Sequence, residues 1–315
     1  MKKLNIFIFI VLSFLFLAVV EAGAASRTAL VIGNGAYKSA PLKNPVNDAS
    51  DIAGALNQLG FEVILKTNSD KRTMLNTITQ FGKRLSEANV GLFFFAGHGM
   101  QVRGTNYLIP IGAYVTNETD VEIEGIDVRR ILGRMESTAN DINIILLDAC
   151  RDNPFKRSFR SSSNGLAKMN SPKGTFMAYA TSPGSVAADG SGRNSPFTQH
   201  LLRNISEPDL PIEKLLKKVR KGVLAETEDK QMPWQTSSLT GDFYFNPQED
   251  RKTASDLSQS TISVTTAKLY VRTEPENARI RILNIKPKFF QGMELLPGKY
   301  YIEVSNKEHV TSKQW

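Results

Sequence analysis

Uninterrupted apolar runs alternate along this chain with stretches in which apolar residues recur every three or four positions. The runs are Thr28-Ala29-Leu30-Val31-Ile32-Gly33, Phe61-Glu62-Val63-Ile64-Leu65, Gly91-Leu92-Phe93-Phe94-Phe95-Ala96, Asn143-Ile144-Ile145-Leu146-Leu147 and Gly174-Thr175-Phe176-Met177-Ala178-Tyr179-Ala180. Such runs predict strands covered on both faces, as in parallel sheets. The periodic stretches predict helices over 48–59, 71–88, 128–135 and 212–224; in the second, Met74, Leu75, Ile78, Phe81 and Leu85 form the apolar stripe. Gly60 is placed to cap the first helix, and Ser195-Pro196 opens a further one with serine as N-cap and proline at N1. Tyr107-Leu108-Ile109-Pro110 reads as a short strand and Asp242-Phe243-Tyr244-Phe245 as the last one. The alternation predicts an α/β sandwich around a mainly parallel sheet.

The two ends of the chain follow different patterns. Residues 249–265 are polar and rich in Ser, Thr and Asp, which predicts a linker. Beyond it, Lys268-Leu269-Tyr270-Val271-Arg272-Thr273 and Tyr300-Tyr301-Ile302-Glu303-Val304 alternate as half-exposed strands, with turns at Pro275-Glu276-Asn277-Ala278 and Pro297-Gly298. A small all-β domain over 266–315 is expected. At the start, Lys2 and Lys3 precede an apolar stretch from 6 to 20 and the ending Glu21-Ala22-Gly23-Ala24-Ala25. That order reads as a secretory signal peptide over 1–25, cut after Ala24 or Ala25. The stretch is short for a membrane span of about 20 residues, and without a cysteine it excludes a lipoprotein anchor. The expected plan is signal 1–25, main domain 26–248, linker 249–265 and β domain 266–315, in a protein exported to the periplasm or cell surface.

An apolar share of 41% allows a sizeable core. The net charge of +8 is spread without a dense basic block, so nucleic acid is not an expected partner. The cysteine count matters more. Exported proteins use cysteines in pairs, and Cys150 is the only one here. It is either an inert buried residue or a reactive thiol. Cys150 closes the run ending Asp148-Ala149-Cys150, and His98 follows another run between Gly97 and Gly99. If the two strands are neighbours and parallel, thiol and imidazole meet at one sheet edge. A free thiol has a pKa near 8.5, so a base beside it is what makes it a nucleophile at neutral pH. Of the three histidines, His200 lies within a predicted helix and His309 in the tail, which leaves His98 as the candidate base. Gly97 and Gly99 let the backbone approach a substrate, and their amides are placed to polarise a carbonyl. The plainer alternatives are a turn histidine and a small buried hydrophobe.

Rival chemistries fare worse. Gly33-Asn34-Gly35-Ala36-Tyr37-Lys38 lacks the third glycine of a dinucleotide fingerprint. A phosphatase loop needs arginine where Lys156 stands, and one cysteine with three scattered histidines has no zinc-ligand spacing.

The caspase signature Gln-Ala-Cys-[Arg/Gln/Gly]-Gly has its histidine about 50 residues upstream. Ala149-Cys150-Arg151 matches its centre with His98 at that remove, while Asp148 and Asp152 replace the flanking glutamine and glycine. With Ala29-Leu30-Val31-Ile32-Gly33-Asn34, Leu42-Lys43-Asn44-Pro45-Val46-Asn47-Asp48-Ala49 and Gln231-Met232-Pro233-Trp234-Gln235-Thr236-Ser237-Ser238-Leu239, residues 26–246 resemble bacterial caspase-like proteins of peptidase clan CD, near metacaspases and orthocaspases. The resemblance implies a caspase-like α/β/α sandwich and a cysteine endopeptidase with a His98/Cys150 dyad. It further implies that Asp148 and Asp48 line an S1 pocket for Arg or Lys, as in metacaspases, so that the partners are protein or peptide substrates with a basic P1 residue. For Asp48 the alternative is a helix N-cap or first-turn acid. The backbone amides of Gly99 and Cys150 are the candidate oxyanion donors.

Many metacaspases need calcium, and Asp120, Glu122, Glu124 and Asp127 are the acids placed to contribute, with a solvated acidic loop as the alternative. Lys156, Arg157, Arg160 and Lys168 fall in the connection that the family often cuts during activation. Leu269-Tyr270-Val271, Pro275-Glu276-Asn277-Ala278 and Leu296-Pro297-Gly298-Lys299-Tyr300 resemble a PEGA domain, which implies binding or spacing at the cell envelope. The competing reading of the whole chain is a caspase-fold binding protein without turnover.

Overall fold

The computed structural model describes residues 26–138, 140–150, 166–183, 185–248 and 267–314, the last apart from 270, 272, 274–277, 286–287, 296–299 and 307–308. The signal peptide, the basic part of the connection after Cys150 and the linker expected from the sequence lie outside the described residues. The chain divides into two compact units, Met1–Gln248 and Glu249–Trp315.

In chain order the larger unit contains β1 (Arg27–Gly33), α1 (Pro45–Gln58), β2 (Phe61–Thr67), α2 (Lys71–Leu85), β3 (Val90–Val102), β4 (Thr105–Leu108), α3 (Glu118–Glu124), β5 (Ile126–Asp127), α4 (Val128–Glu136), β6 (Ile142–Cys150), β7 (Thr175–Tyr179), α5 (Pro196–Ile205), α6 (Ile212–Glu226) and β8 (Trp234–Ser237). The sheet runs β2-β1-β3-β6-β7-β8, parallel except for β8, which is antiparallel to β7. The apolar runs have the cause predicted for them. Val31, Leu92, Phe94, Ile144, Leu146 and Phe176 pack on one face with α1, α5 and α6. Leu30, Ile32, Phe93, Phe95, Ile145 and Leu147 pack on the other with α2 and α4. A strand covered on both sides needs apolar residues at every position, and each fully buried Phe or Leu contributes roughly 1.5–3 kcal/mol.

Local readings change in three places. The Gly97-His98-Gly99 segment is not a turn. β3 continues through it to Val102, leaving β6 and pairing antiparallel with β4. Residues 242–245 make a single bridge, Pro211 to Tyr244, and no strand. Their alternation instead seats Phe243 and Phe245 in the core, edge to face at 5.0 Å, with the Arg27 guanidinium over the Phe243 ring. The last strand is β8, whose residues are only partly buried at the sheet edge and carry no apolar period. Asp120, Glu122 and Glu124, for which a solvated loop was the alternative, lie in α3, started by a capping box in which Asn117 and Asp120 satisfy each other's backbone amides.

In the smaller unit the described residues form β9 (Ala267–Leu269), β10 (Arg279–Ile282), β11 (Met293–Leu295), β12 (Ile302–Asn306) and β13 (His309–Gln314). β10, β12 and β13 make one antiparallel sheet, and β9 and β11 another. Several residues that carry the PEGA resemblance lie outside the described ones.

Candidate active site

The parallel pairing of β3 with β6 sets His98 opposite Cys150 in register. The two backbones are therefore neighbours at the carboxyl edge of the sheet; the Cys150 side chain lies outside the described residues. His98 is 4% exposed. Its Nε2 is 2.7 Å from the Ala40 carbonyl oxygen. A carbonyl only accepts, so Nε2 carries the hydrogen and Nδ1 keeps the lone pair. Nδ1 is buried and has no hydrogen-bond partner among the described residues. Burial lowers the pKa of His98 from its ordinary value, with the Ala40 hydrogen bond and the charge on Asp189 pulling it back up. The imidazole is thereby kept neutral at neutral pH, the form a base needs.

Both predicted pocket acids are buried and lie beside one another. Asp48 is in the first turn of α1, on the apolar stripe it shares with Pro45, Ala49, Ile52 and Leu56. It is thus both the first-turn acid and a core-facing one. Asp148 lies two residues before Cys150 on β6 and is 4% exposed. Ser195, the N-cap of α5, joins the two acids. Its backbone N–H donates to Asp48 Oδ1 at 3.0 Å and its hydroxyl donates to Asp148 Oδ2, where Thr198 Oγ1 also donates at 2.6 Å. Burial, and next the charge of Asp148, pushes Asp48 up to about 8. Burial pushes Asp148 up to about 6 against the opposing hydrogen bonds of Ser195 and Thr198. Among the described residues no lysine or arginine pairs with either carboxylate; Arg193 is engaged by Asp51, one turn along α1.

A third acid was not legible beforehand. Asp189 raises Asp48 and Asp148 by its charge and reaches His98 in the same way. Its carboxylate accepts from Lys43 N at 2.7 Å and Asn44 N at 3.3 Å, ahead of α1. It sits in an irregular segment, where no periodicity marks a residue as inward-facing. Tyr37 and Ala40, which touch His98, were missed for the same reason.

The other candidates have the following surroundings. Gly99 packs so closely that an added Cβ would meet Ala149 Cβ at 2.8 Å and Leu166 at 3.1 Å. Asp120 caps α3 and Asp127 caps α4, so two of the acids considered for calcium are committed to backbone amides. Among the described residues no group of three or more His, Cys, Asp or Glu is arranged to hold a metal. His200 bonds Glu226 at 2.8 Å between α5 and α6.

A histidine whose Nδ1 has no partner among the described residues, opposite the chain's one cysteine on a mainly parallel sheet, defines a candidate thiol hydrolase site. Residues 26–244 match the Caspase domain family, and the chain belongs to it. Homologues with this domain are cysteine proteases. The chain is 31% identical over 129 residues to mucosa-associated lymphoid tissue lymphoma translocation protein 1 of Homo sapiens, covering 41% of this chain and 15% of that protein. It is 24% identical over 271 residues to cell death protein 3 of Caenorhabditis remanei, covering 72% of this chain and 51% of that protein. The chain thus spans only part of these relatives. Among solved structures, caspase-1 of Spodoptera frugiperda superposes with a TM-score of 0.54 at 18% identity, over 72% of this chain and 92% of that one, which establishes a shared fold.

Proposed function

We propose that this protein is a cysteine endopeptidase that cleaves protein substrates after Arg or Lys. The observation that carries the proposal is the buried Asp48–Asp148 pair, which forms no salt bridge with a lysine or arginine among the described residues, next to the strand ends that bear His98 and Cys150. Uncompensated buried charge is costly. A guanidinium or ammonium from the substrate supplies the missing partner, and arginine offers two donors in a plane.

In the proposed reaction the Cys150 thiol gives its proton to His98 Nδ1 while sulfur attacks the scissile carbonyl. The backbone amides of Gly99 and Cys150 are assigned to the oxyanion. Collapse of the tetrahedral species breaks the C–N bond, and His98 returns the proton to the leaving amine. Water then hydrolyses the thioester with His98 as base. The Ala40 carbonyl keeps the proton on Nε2 throughout.

Residues 1–25 favour an exported enzyme, with the β unit as a tether to an envelope partner. Peptides differing only at P1 test the core of the proposal. The arginine peptide is expected to turn over in wild type and not in Cys150→Ala, and the aspartate peptide to turn over poorly. Equal or better cleavage after aspartate overturns the pocket assignment.

A further inference from the structure

His98 stands where β3 changes partners. Up to Cys150 the strand is paired with β6, and from Gly99 to Val102 it is paired antiparallel with β4. Continuing the antiparallel register one step past Gly99 and Leu108 brings His98 opposite Ile109. A closed ladder would exchange two backbone hydrogen bonds there. Only one is direct, from Ile109 N–H to the His98 carbonyl at 2.9 Å. The other is opened by a side chain. The His98 N–H donates to Tyr37 Oη at 3.0 Å, and that hydroxyl donates to the Ile109 carbonyl at 2.9 Å. The Tyr37 ring lies against the imidazole, with centroids 4.4 Å apart and planes tilted by 48°. Gly97 makes the room: its φ is +152°, and a Cβ there would come within 2.7 Å of the Tyr37 hydroxyl. Three residues further along the same segment, Ala40 adopts φ +54° and presents its carbonyl to His98 Nε2.

We infer that Tyr37 is a positioning residue for the base: its hydroxyl holds the β3–β4 ladder open at His98, and its ring sets the imidazole so that Nε2 meets Ala40 and Nδ1 is left for Cys150. The inference rests on the proposed dyad and adds to it a residue that acts through His98. Without the hydroxyl, either His98 N–H and the Ile109 carbonyl lose their bridge or the ladder closes and carries His98 with it. Both results move the imidazole relative to β6.

Because Cys150 is the only cysteine, the rate of alkylation by iodoacetamide against pH reports its thiolate alone. Wild type is expected to react with a midpoint below that of an ordinary cysteine, and His98→Ala to return to the ordinary value. Tyr37→Phe, which keeps the ring, is expected to shift the midpoint toward that of His98→Ala. It is also expected to lower kcat on an arginine peptide by about tenfold, the scale of one buried N–H left unsatisfied, with KM little changed. Should Tyr37→Phe fail to fold, Gly97→Ala drives a methyl against the hydroxyl and is expected to shift the midpoint the same way. A wild-type midpoint in a folded Tyr37→Phe or Gly97→Ala protein overturns the inference alone. An ordinary midpoint in wild type, unmoved by His98→Ala, overturns the dyad and this inference with it.

Discussion

Replacing His98 with alanine is expected to lower kcat on an arginine peptide by about 10²–10⁴-fold, the usual contribution of a positioned acid–base group, while KM changes little. Asp48, Asp148 and Ser195 bond to one another while the imidazole bonds to Ala40, so the ground-state binding proposed for the P1 side chain is expected to survive the change. What disappears is the acceptor for the thiol proton and its return to the leaving amine. The environment of His98 explains why this ring is suited to the task. Burial lowers its pKa, so it is neutral and ready to accept, and the Ala40 carbonyl stabilises the hydrogen on the far nitrogen once the ring is charged. The same burial affects stability. The unfolded chain binds a proton at this residue more readily than the folded one, so folding loses stability as pH falls below the ordinary histidine pKa near 6.5. Substitution of His98 removes that particular acid sensitivity. Steady-state kinetics and thermal unfolding across pH check both parts. The vacated ring site also predicts partial rescue of turnover by added imidazole. A His98→Ala protein with kcat close to wild type removes the proposed base.

The main strands were legible because burial on both faces leaves its mark at every position. The run from Leu92 to Ala96 admits few other structures, and the same holds for Ile144 to Leu147. His98 and Cys150 followed from those runs as the polar residues beyond their ends. Asp48 was open to a simpler signal than resemblance: it is an acid at a core-facing position of an amphipathic helix, whereas Asp51 faces outward and pairs with Arg193. The illegible parts are held by tertiary contacts. Tyr37, Ala40 and Asp189 act from irregular segments, where a side chain's direction depends on distant partners such as Ile109 and Lys43. β8 was hidden because an edge strand can be polar on both sides, and residues 242–245 misled because alternation records burial, not ladder pairing.

Asp148→Asn is expected to reduce kcat/KM for an arginine peptide by about 100-fold or more, since removing one member of a buried charged contact typically costs 2–5 kcal/mol. The corresponding peptide with citrulline at P1, neutral but of similar shape, should lose far less. The pair also gives the discrimination a pH dependence of fixed sign. Burial pushes Asp48 up to about 8 and Asp148 up to about 6. Near neutrality the pair therefore carries roughly one charge, and a second develops toward pH 8. A cationic side chain favours the doubly charged form, so its binding releases protons. The ratio of kcat/KM for arginine over citrulline should rise between about pH 6 and 8; taking the ratio cancels ionisation of the thiol. Stability moves the other way. Both acids have folded pKa values above the ordinary 3.8, so the folded state holds extra protons, and that stabilisation is lost as pH rises through the folded values. Asp148→Asn, and likewise Asp48→Asn, should make the protein harder to unfold at pH 8 while disabling it toward basic substrates. On the proposed reading, the two carboxylates are held at the expense of stability for the sake of binding a P1 cation. An arginine-to-citrulline ratio that stays flat with pH, together with unchanged thermal stability in both asparagine variants, would mean that these carboxylates do not face the P1 side chain.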